Sequence, residues 1–435
     1  MKYFVKNRDP VEISIETLHP DGYGLSADES VGVFGALPGE TVIAKPFTRK
    51  RGRTFARTES VVSSSAQRIT PVCSAAAACG GCSLQHMDPE AQIRSKQSRL
   101  FELFGNNQPD EVMEPVTGPV TNYRAKARLG AKHVKKMGRV LVGFREKMSP
   151  LITLIDRCEV LQNPVGALVP ELAALIEQLS VSDAIPQIEV AIGEDDVALV
   201  FRHMTGLTED DKGILVEFAR AHDVSIWLQP GDISSVHKLY PADGIERLSY
   251  SLPEFNLELC FHPLDFVQVN TAINTTLVNV ALTQLRLEPE DRVLDSFCGI
   301  GNFTLPIATR SAFVYGIEGS PASVARGKEN ARRNGIDNCT FEEADLLAES
   351  LDLPVLKEVD KILLDPPRSG AEQLCKKLAS SKVERVVYVS CNPRTLARDA
   401  EILVGGGYRF EKAGVIDMFP NTAHIESIAV FSRTH

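Results

Sequence analysis

The sequence predicts an α/β protein whose C-terminal part is a doubly wound sheet, preceded by a mixed α+β region and a small all-β module. Three observations carry this. After Phe261, short apolar strands alternate with helical segments at α/β spacing. Residues 1–65 contain only short strand-like runs broken by glycine- and proline-rich turns. Residues 66–262 mix both patterns, within a 435-residue chain long enough for about two to four domains.

In the first module, VEISIETL and VGVFGAL are strand-like, and TVIAKPFTRKRGRTFARTESV reads as a hairpin with a basic tip. Five short strands in such a span suit an OB-like β-barrel, a platform for single-stranded nucleic acid. Residues 88–105 read as one amphipathic helix, with Asp88 as N-cap, Pro89 in the first turn and Gly105 as the stop. Between 120 and 260, YRAKARLGAK, RVLVGFRE and IEVAIG…VALVFRH predict antiparallel strands. LVPELAALIEQLSV and EDDKGILVEFARAH predict helices. The C-terminal strands are expected at 292–295, 313–318, 339–343, 361–364, 386–390, 410–417 and 427–432.

Composition narrows the function classes. Hydrophobic residues at 43% and charged residues at 24% exclude a mostly disordered or collagen-like chain. No run approaches the apolar length of a membrane span. The opening residues MKYFVKNRDPVEIS lack an apolar leader segment, so the cytoplasm is the expected compartment. There the nine cysteines are expected free, metal-bound or catalytic. The net charge of −10 opposes a nucleic-acid partner for the chain as a whole. Basic charge is concentrated, however. Residues 45–57 hold six Lys or Arg and no acid, and residues 124–147 hold nine against Glu146 alone. Such local surfaces bind phosphates whatever the global sign.

The segment RVLDSFCGIGNFTLPIA is strand, glycine loop, helix. Gly299 and Gly301 let the backbone approach a ligand at the helix start. A dinucleotide fingerprint needs a third glycine where Thr304 stands. Glu318, ending the next strand, is spaced to accept from ribose hydroxyls. A nucleoside without pyrophosphate fits, and S-adenosyl-L-methionine (SAM) is the expected ligand. Asp345, after the third strand, is a candidate for the adenine amino group or a helix N-cap.

Two further strands end in chemistry. KILLDPPRSG places Asp365 in a rigid Asp-Pro-Pro turn at a strand's carboxyl end, where open α/β sheets bind ligands. Arg368 stands where amino-group methyltransferases carry an aromatic residue. RVVYVSCNP places Cys391 at the end of a neighbouring strand as a candidate nucleophile. DMFPNTAHIES offers His424 and Glu426 as candidate bases. A thiolate, a methyl donor and a base together define C5 methylation of uracil in an unstacked nucleotide. Finally, Cys73, Cys79 and Cys82 cluster in a glycine-rich turn, with Cys158 further on. Four thiolates suit zinc or a [4Fe–4S] cluster, and the missing second C-x2-C pair favours the cluster.

Together these residues resemble the bacterial RNA (uracil-5-)-methyltransferases. The likeness covers nearly the whole chain and is most specific in DFVQVN at 265–270, DSFCGIGNF, LLDPPR, YVSCNP with TLARD, and DMFPNTAHIES. The resemblance implies a Rossmann-like SAM methyltransferase domain at 263–435 and a central α+β iron–sulfur domain at 66–262. It implies a TRAM-type OB barrel binding RNA at 1–65, and it places helix 88–105 on the C-terminal domain. It implies SAM contacts from Gln268, Phe297, Asn302, Glu318, Asp345 and Asp365. Cys391 would be the nucleophile and Glu426 the proton-abstracting base, with a [4Fe–4S] cluster on Cys73, Cys79, Cys82 and Cys158. Asp345 stands where relatives often have Asn, and Pro367 where some have Ala. A TRAM module together with a cysteine cluster favours 23S rRNA as the partner, at the site equivalent to uridine 1939. The alternatives within the family are another 23S uridine or tRNA. A monomer without an obligate protein partner is expected. Two rivals remain. An amino-group methyltransferase would form no covalent adduct with RNA, and a non-enzymatic iron–sulfur RNA-binding protein would have a broken cofactor loop.

Overall fold

The computed structural model describes residues 9–243 and 246–433. Residues 1–8, part of the segment read for a leader, lie outside them. Among the described residues, no helix is long and apolar enough to cross a membrane.

The N-terminal module is one six-stranded sheet, not the five strands expected. VEISIETL splits into Val11–Ser14 and Thr17–Leu18, because Ile15 between them turns into a small core with Val33, Val42 and Ala56. The hairpin of Thr41–Lys50 and Arg53–Ser63 turns at Arg51 and Gly52, both with positive φ (49° and 82°). A two-residue turn of this kind matches the twist of the strands it joins. Tyr23, Phe34 and Phe55 form an aromatic cluster on this module.

The central region builds a second six-stranded sheet. Gln187–Ile192 pairs antiparallel with both Val197–Arg202 and Lys126–Val134, and Arg139–Gly143 forms the edge. Helices Val165–Gln178 and Glu209–His222 join the core of this sheet. Ser225–Gln229, missed in the sequence, adds a parallel strand after the second helix. All five of its residues are buried, so it shows no alternation.

The C-terminal sheet has eight strands. Five are parallel, in the order Cys339–Glu343, Phe313–Glu318, Arg292–Ser296, Lys361–Leu364 and Arg385–Ser390. Glu426–Ser432 follows antiparallel, paired in turn with Arg409–Ile416. The eighth strand, Glu111–Val112, comes from far upstream and pairs with Lys412 and Ala413. Helix Pro89–Phe104 also belongs physically to this sheet. Asp88 caps it through the Ala91 N–H at 3.0 Å, Leu100 and Phe104 enter the sheet's core, and Phe104 meets Phe410 edge-on.

The same helix carries a buried ion pair. Lys96 Nζ donates to Asp417 Oδ1 at 2.6 Å and to the Phe419 carbonyl at 3.1 Å, and the paired side chains are 3% and 6% exposed. Burial lowers the Lys96 pKa while Asp417 opposes that. Lys96→Met would leave Asp417 buried without its cation. It is expected to destabilise the protein by about 3–5 kcal/mol, seen as a lower unfolding temperature in calorimetry; an unchanged temperature would contradict it.

Candidate active site

The cofactor loop leaves strand Arg292–Ser296 through three residues of positive φ: Phe297 (63°), Gly299 (54°) and Gly301 (98°). Such a run bends the chain sharply into helix Thr304–Ala308. Glu318 braces the loop, accepting from the Gly299 N–H at 3.1 Å and the Ser320 N–H at 2.8 Å. Thr304, in the third-glycine position, donates its hydroxyl to Asp295 Oδ2 at 2.6 Å. Asp295 is fully buried, and burial, reinforced by Asp365 and Glu318, pushes its pKa up to about 8. Its Oδ1 and the Ser296 hydroxyl are buried without a protein partner. Orphaned polar atoms beside a glycine loop fit a donor-rich, cationic ligand such as SAM.

The remaining residues expected at SAM are differently placed. Asn302 exchanges amide hydrogen bonds with Asn274 at 2.9 Å in both directions and accepts from the Tyr250 hydroxyl. Gln268 is half-buried in the irregular segment before helix Thr271–Leu285. Asp345 is exposed and accepts from the Leu347 N–H at 2.9 Å, a local turn. Asp365 stands between the cofactor loop and the reaction centre, and burial raises its pKa to about 7.

The reaction centre follows from strand register. Ser390 pairs with Ser427 across the antiparallel strands, so the next residues, Cys391 and Glu426, face each other. Asn392 caps helix Pro393–Gly405, and its Nδ2 donates to the Arg368 carbonyl at 2.8 Å. This ties the Asp-Pro-Pro-Arg turn to the cysteine loop. Burial raises the Cys391 pKa to about 11; Glu426 and Asp365 add to this and Arg368 opposes it. Glu426 is 3% exposed, and burial with Asp365 nearby lifts its pKa well above the usual range. His424 lines the cavity wall, where desolvation and Arg368 lower its pKa.

Cys391 opens into a cavity of about 1210 Å³ lined by all three parts of the chain. The N-terminal module contributes Tyr23, Phe34 and Lys50, and the cysteine-rich loop contributes Gly80, Gly81 and Ser83. The central region adds Arg124, Arg128, Arg145 and Lys147, and the C-terminal part adds Arg368 and His424. The two basic runs therefore divide. Only Lys50 of the first and these four of the second reach the cavity.

Cys79, Cys82 and Cys158 are buried and Cys73 is half-buried, all as free thiols. They lie close together: Cys73 acts electrostatically on Cys79, Cys82 and Cys158, and Cys79 and Cys158 act on Cys82, each raising the pKa of the thiol it faces. Among the described residues, no group of three or more His, Cys, Asp or Glu side chains has metal-binding geometry. Two sulfurs nevertheless accept hydrogen bonds, Cys79 from the Gly81 N–H at 3.4 Å and Cys82 from Gln85 Nε2 at 3.3 Å. Buried Lys147 brings positive charge to the same thiols and donates to the Ala76 carbonyl.

Comparison with known proteins agrees with this geometry. The family model described as tRNA (Uracil-5-)-methyltransferase matches residues 258–434. The Pyrococcus abyssi tRNA (uracil-54, C5)-methyltransferase, solved with S-adenosyl-L-homocysteine, superposes with a TM-score of 0.76 at 27% identity, covering 97% of this chain and all of that one. The Alkalilimnicola ehrlichii 23S rRNA (uracil(1939)-C(5))-methyltransferase RlmD is 49% identical over 98% of this chain and 97% of its own length. The protein of the same name from Hahella chejuensis is 47% identical, covering 98% of both chains. The chain belongs to the RNA (uracil-5-)-methyltransferase family.

For a uracil-5-methyltransferase, the residue that sequence reasoning underused is Arg368. The sequence marks it only by the absence of an aromatic, yet it is the cation that acts on both Cys391 and Glu426. Its basic character in a turn beside a candidate thiol was the available signal. Arg368→Gln removes the one influence of these that holds the thiol down. Alkylation of Cys391 by iodoacetamide at pH 8 is expected to slow by about three- to tenfold, because each unit of pKa changes the thiolate fraction about tenfold. An unchanged rate, read by peptide mass spectrometry, would remove Arg368 from thiol activation.

Proposed function

We propose that this protein transfers a methyl group from SAM to C5 of the 23S rRNA uridine equivalent to position 1939. The observation that carries the chemistry is the register that sets Cys391 opposite Glu426, with Cys391 lining a cavity rich in Arg and Lys side chains. The choice of RNA is supported by the full-length relatives of that name.

Uracil C5 is a poor nucleophile until a thiolate adds at C6. Cys391 forms the C6–S bond, and the electron pair moves to C5 through an enolate. C5 then takes the methyl group, leaving S-adenosylhomocysteine. Glu426 accepts the C5 proton, the C5=C6 bond re-forms, and the C6–S bond breaks to return the thiolate. The raised pKa of Glu426 makes its carboxylate a strong base once ionised. Burial beside Asp365 and a register across from Cys391 favour Glu426 over the exposed His424. In this reading Phe297, Glu318 and Asp365 border the SAM pocket, Gln268, Asn302 and Asp345 complete it, and the N-terminal module is a TRAM-type RNA platform.

The four cysteines suit a [4Fe–4S] cluster, with Cys73, Cys79, Cys82 and Cys158 as its ligands. Four mutually close thiols, N–H···S hydrogen bonds and the Lys147 charge support that donor set. Such a group would supply a structural cross-link between the cysteine-rich loop and the central sheet. Anaerobically reconstituted protein is expected to absorb in the visible, and Cys79→Ser to lose that band; zinc retained without visible absorbance would replace the cluster by a zinc site.

The test of function is covalent trapping. The protein, SAM and a 23S rRNA fragment carrying 5-fluorouridine at the expected site are mixed and run on a denaturing gel. Fluorine at C5 cannot leave as a proton, so a methylated adduct on Cys391 is expected. No adduct while SAM binds would overturn the assignment, and repeating the trap with tRNA would show whether the RNA or the chemistry is wrong.

A further inference from the structure

The loop between strands Arg409–Ile416 and Glu426–Ser432 delivers Glu426, and it is held by segments outside the C-terminal part of the chain. Its centre is Asn421, 5% exposed, in the left-handed region at φ 63°. Such a conformation is uncommon for a non-glycine residue. Every polar group of Asn421 is engaged. Its N–H donates to Gln92 Oε1 at 2.9 Å, and its Oδ1 accepts from Gln92 Nε2 at 3.3 Å. Its Nδ2 donates to the Val120 carbonyl at 2.7 Å. Its carbonyl accepts from the Ser83 and Leu84 N–H groups at 3.0 and 2.9 Å.

Neighbouring positions repeat the pattern. The Ala423 N–H donates to Ser83 Oγ at 3.0 Å, and the Tyr123 hydroxyl donates to the Pro420 carbonyl at 3.0 Å. The N-terminal module closes the arrangement, since a Cβ on Gly22 would stand 2.6 Å from Ser83 Oγ and 3.1 Å from the Ala423 Cβ. Ser83 directly follows Cys82. The cysteine-rich loop is thus joined by main-chain hydrogen bonds to the loop that presents Glu426.

We propose that Asn421 is a positioning residue for proton abstraction, through which the cysteine-rich loop and helix Pro89–Phe104 fix the entry of Glu426 into its strand. The proposal rests on the reading of Glu426 as proton acceptor. Buried hydrogen bonds on all sides of one residue hold a short loop in a single conformation. A displacement of a catalytic group by about 1 Å can cost about a hundredfold in rate. The affected step is removal of the C5 proton, after methyl transfer. A loosened loop therefore leaves the methylated C6–S adduct standing, whereas mere loss of stability lowers all steps together.

The experiment uses the full-length protein with SAM and an unmodified 23S rRNA fragment. Asn421→Ala is expected to lower kcat by about ten- to a hundredfold, leave KM for RNA within about twofold, and accumulate methylated adduct on Cys391 in denaturing gels. Asn421→Gly, which adopts positive φ freely, is expected to recover part of kcat. Ser83→Ala removes one acceptor and carries the same expectation at severalfold size, which keeps the test open should Asn421→Ala not fold. Loss of kcat without adduct in these variants, or full kcat with only a lower melting temperature, overturns the proposal. Glu426→Gln run alongside separates the two readings. No adduct there defeats the proton-acceptor assignment, and adduct there but none with Asn421→Ala or Ser83→Ala defeats the positioning role alone.

Discussion

Cys391→Ser is expected to lose at least about 10⁴-fold in kcat while SAM still binds. The loss is large because Cys391 is the one thiol among the described residues lining the cavity, and a thiolate is far the better nucleophile for C6. Serine preserves the size and the neighbours of the side chain, including the contact of Asn392 with the Arg368 carbonyl, but its hydroxyl ionises far above the thiol. The cofactor loop is built on strand Arg292–Ser296 and braced by Glu318, separate from the loop of Cys391, so calorimetric SAM affinity is expected to be unchanged. Turnover within about tenfold of the unmodified enzyme would mean that covalent addition is not on the pathway.

Glu426→Gln is expected to methylate once and stop. The amide is nearly isosteric and stays at the head of its strand, so addition of Cys391 and methyl transfer proceed. The C5 proton has no acceptor, and the methylated adduct accumulates. We expect turnover to fall by about 10²- to 10⁴-fold, the range for loss of a general base. pH supplies a second check on the unmodified enzyme. Cys391 titrates near 11 and Glu426 well above an ordinary carboxyl group, and both must lose a proton to act. Single-turnover rates are therefore expected to rise from pH 6 to pH 9. A rate already flat over that range would fit an acceptor of low pKa, and His424 would return as the candidate base.

The C-terminal sheet was the most legible part of the sequence. Its central strands, Lys361–Leu364 and Arg385–Ser390, are buried throughout; 313–318, 339–343 and 361–364 have the expected bounds, three other strands shift by one residue at one end, and Arg409–Ile416 shifts by one at both. Helix Pro89–Phe104 was legible because Asp88, Pro89 and Gly105 mark both ends. Strand Ser225–Gln229 was not, since its buried ends are Ser and Gln. Strand Glu111–Val112 has two exposed residues and exists only through its partner, about which local sequence says nothing. The chemistry-bearing side chains announced themselves by standing at strand ends in short motifs. Their surroundings did not. Gln92 meets Asn421 across 329 positions, and the cavity that Cys391 faces is walled by every part of the chain.

The path of the chain through the C-terminal sheet has a consequence for biosynthesis. Helix Pro89–Phe104 and strand Glu111–Val112 leave the ribosome long before the strand Arg409–Ile416 against which they pack. Domains ordinarily fold as units in the order they emerge, but here an early segment waits for one far later in the chain. Until then Leu100 and Phe104 lack the wall that Tyr408 and Phe410 provide, and Lys96 lacks Asp417. The nascent chain thus carries an amphipathic helix whose apolar face stays uncovered until residues 408–417 have emerged, and their arrival, not the folding of the early part alone, completes the catalytic sheet.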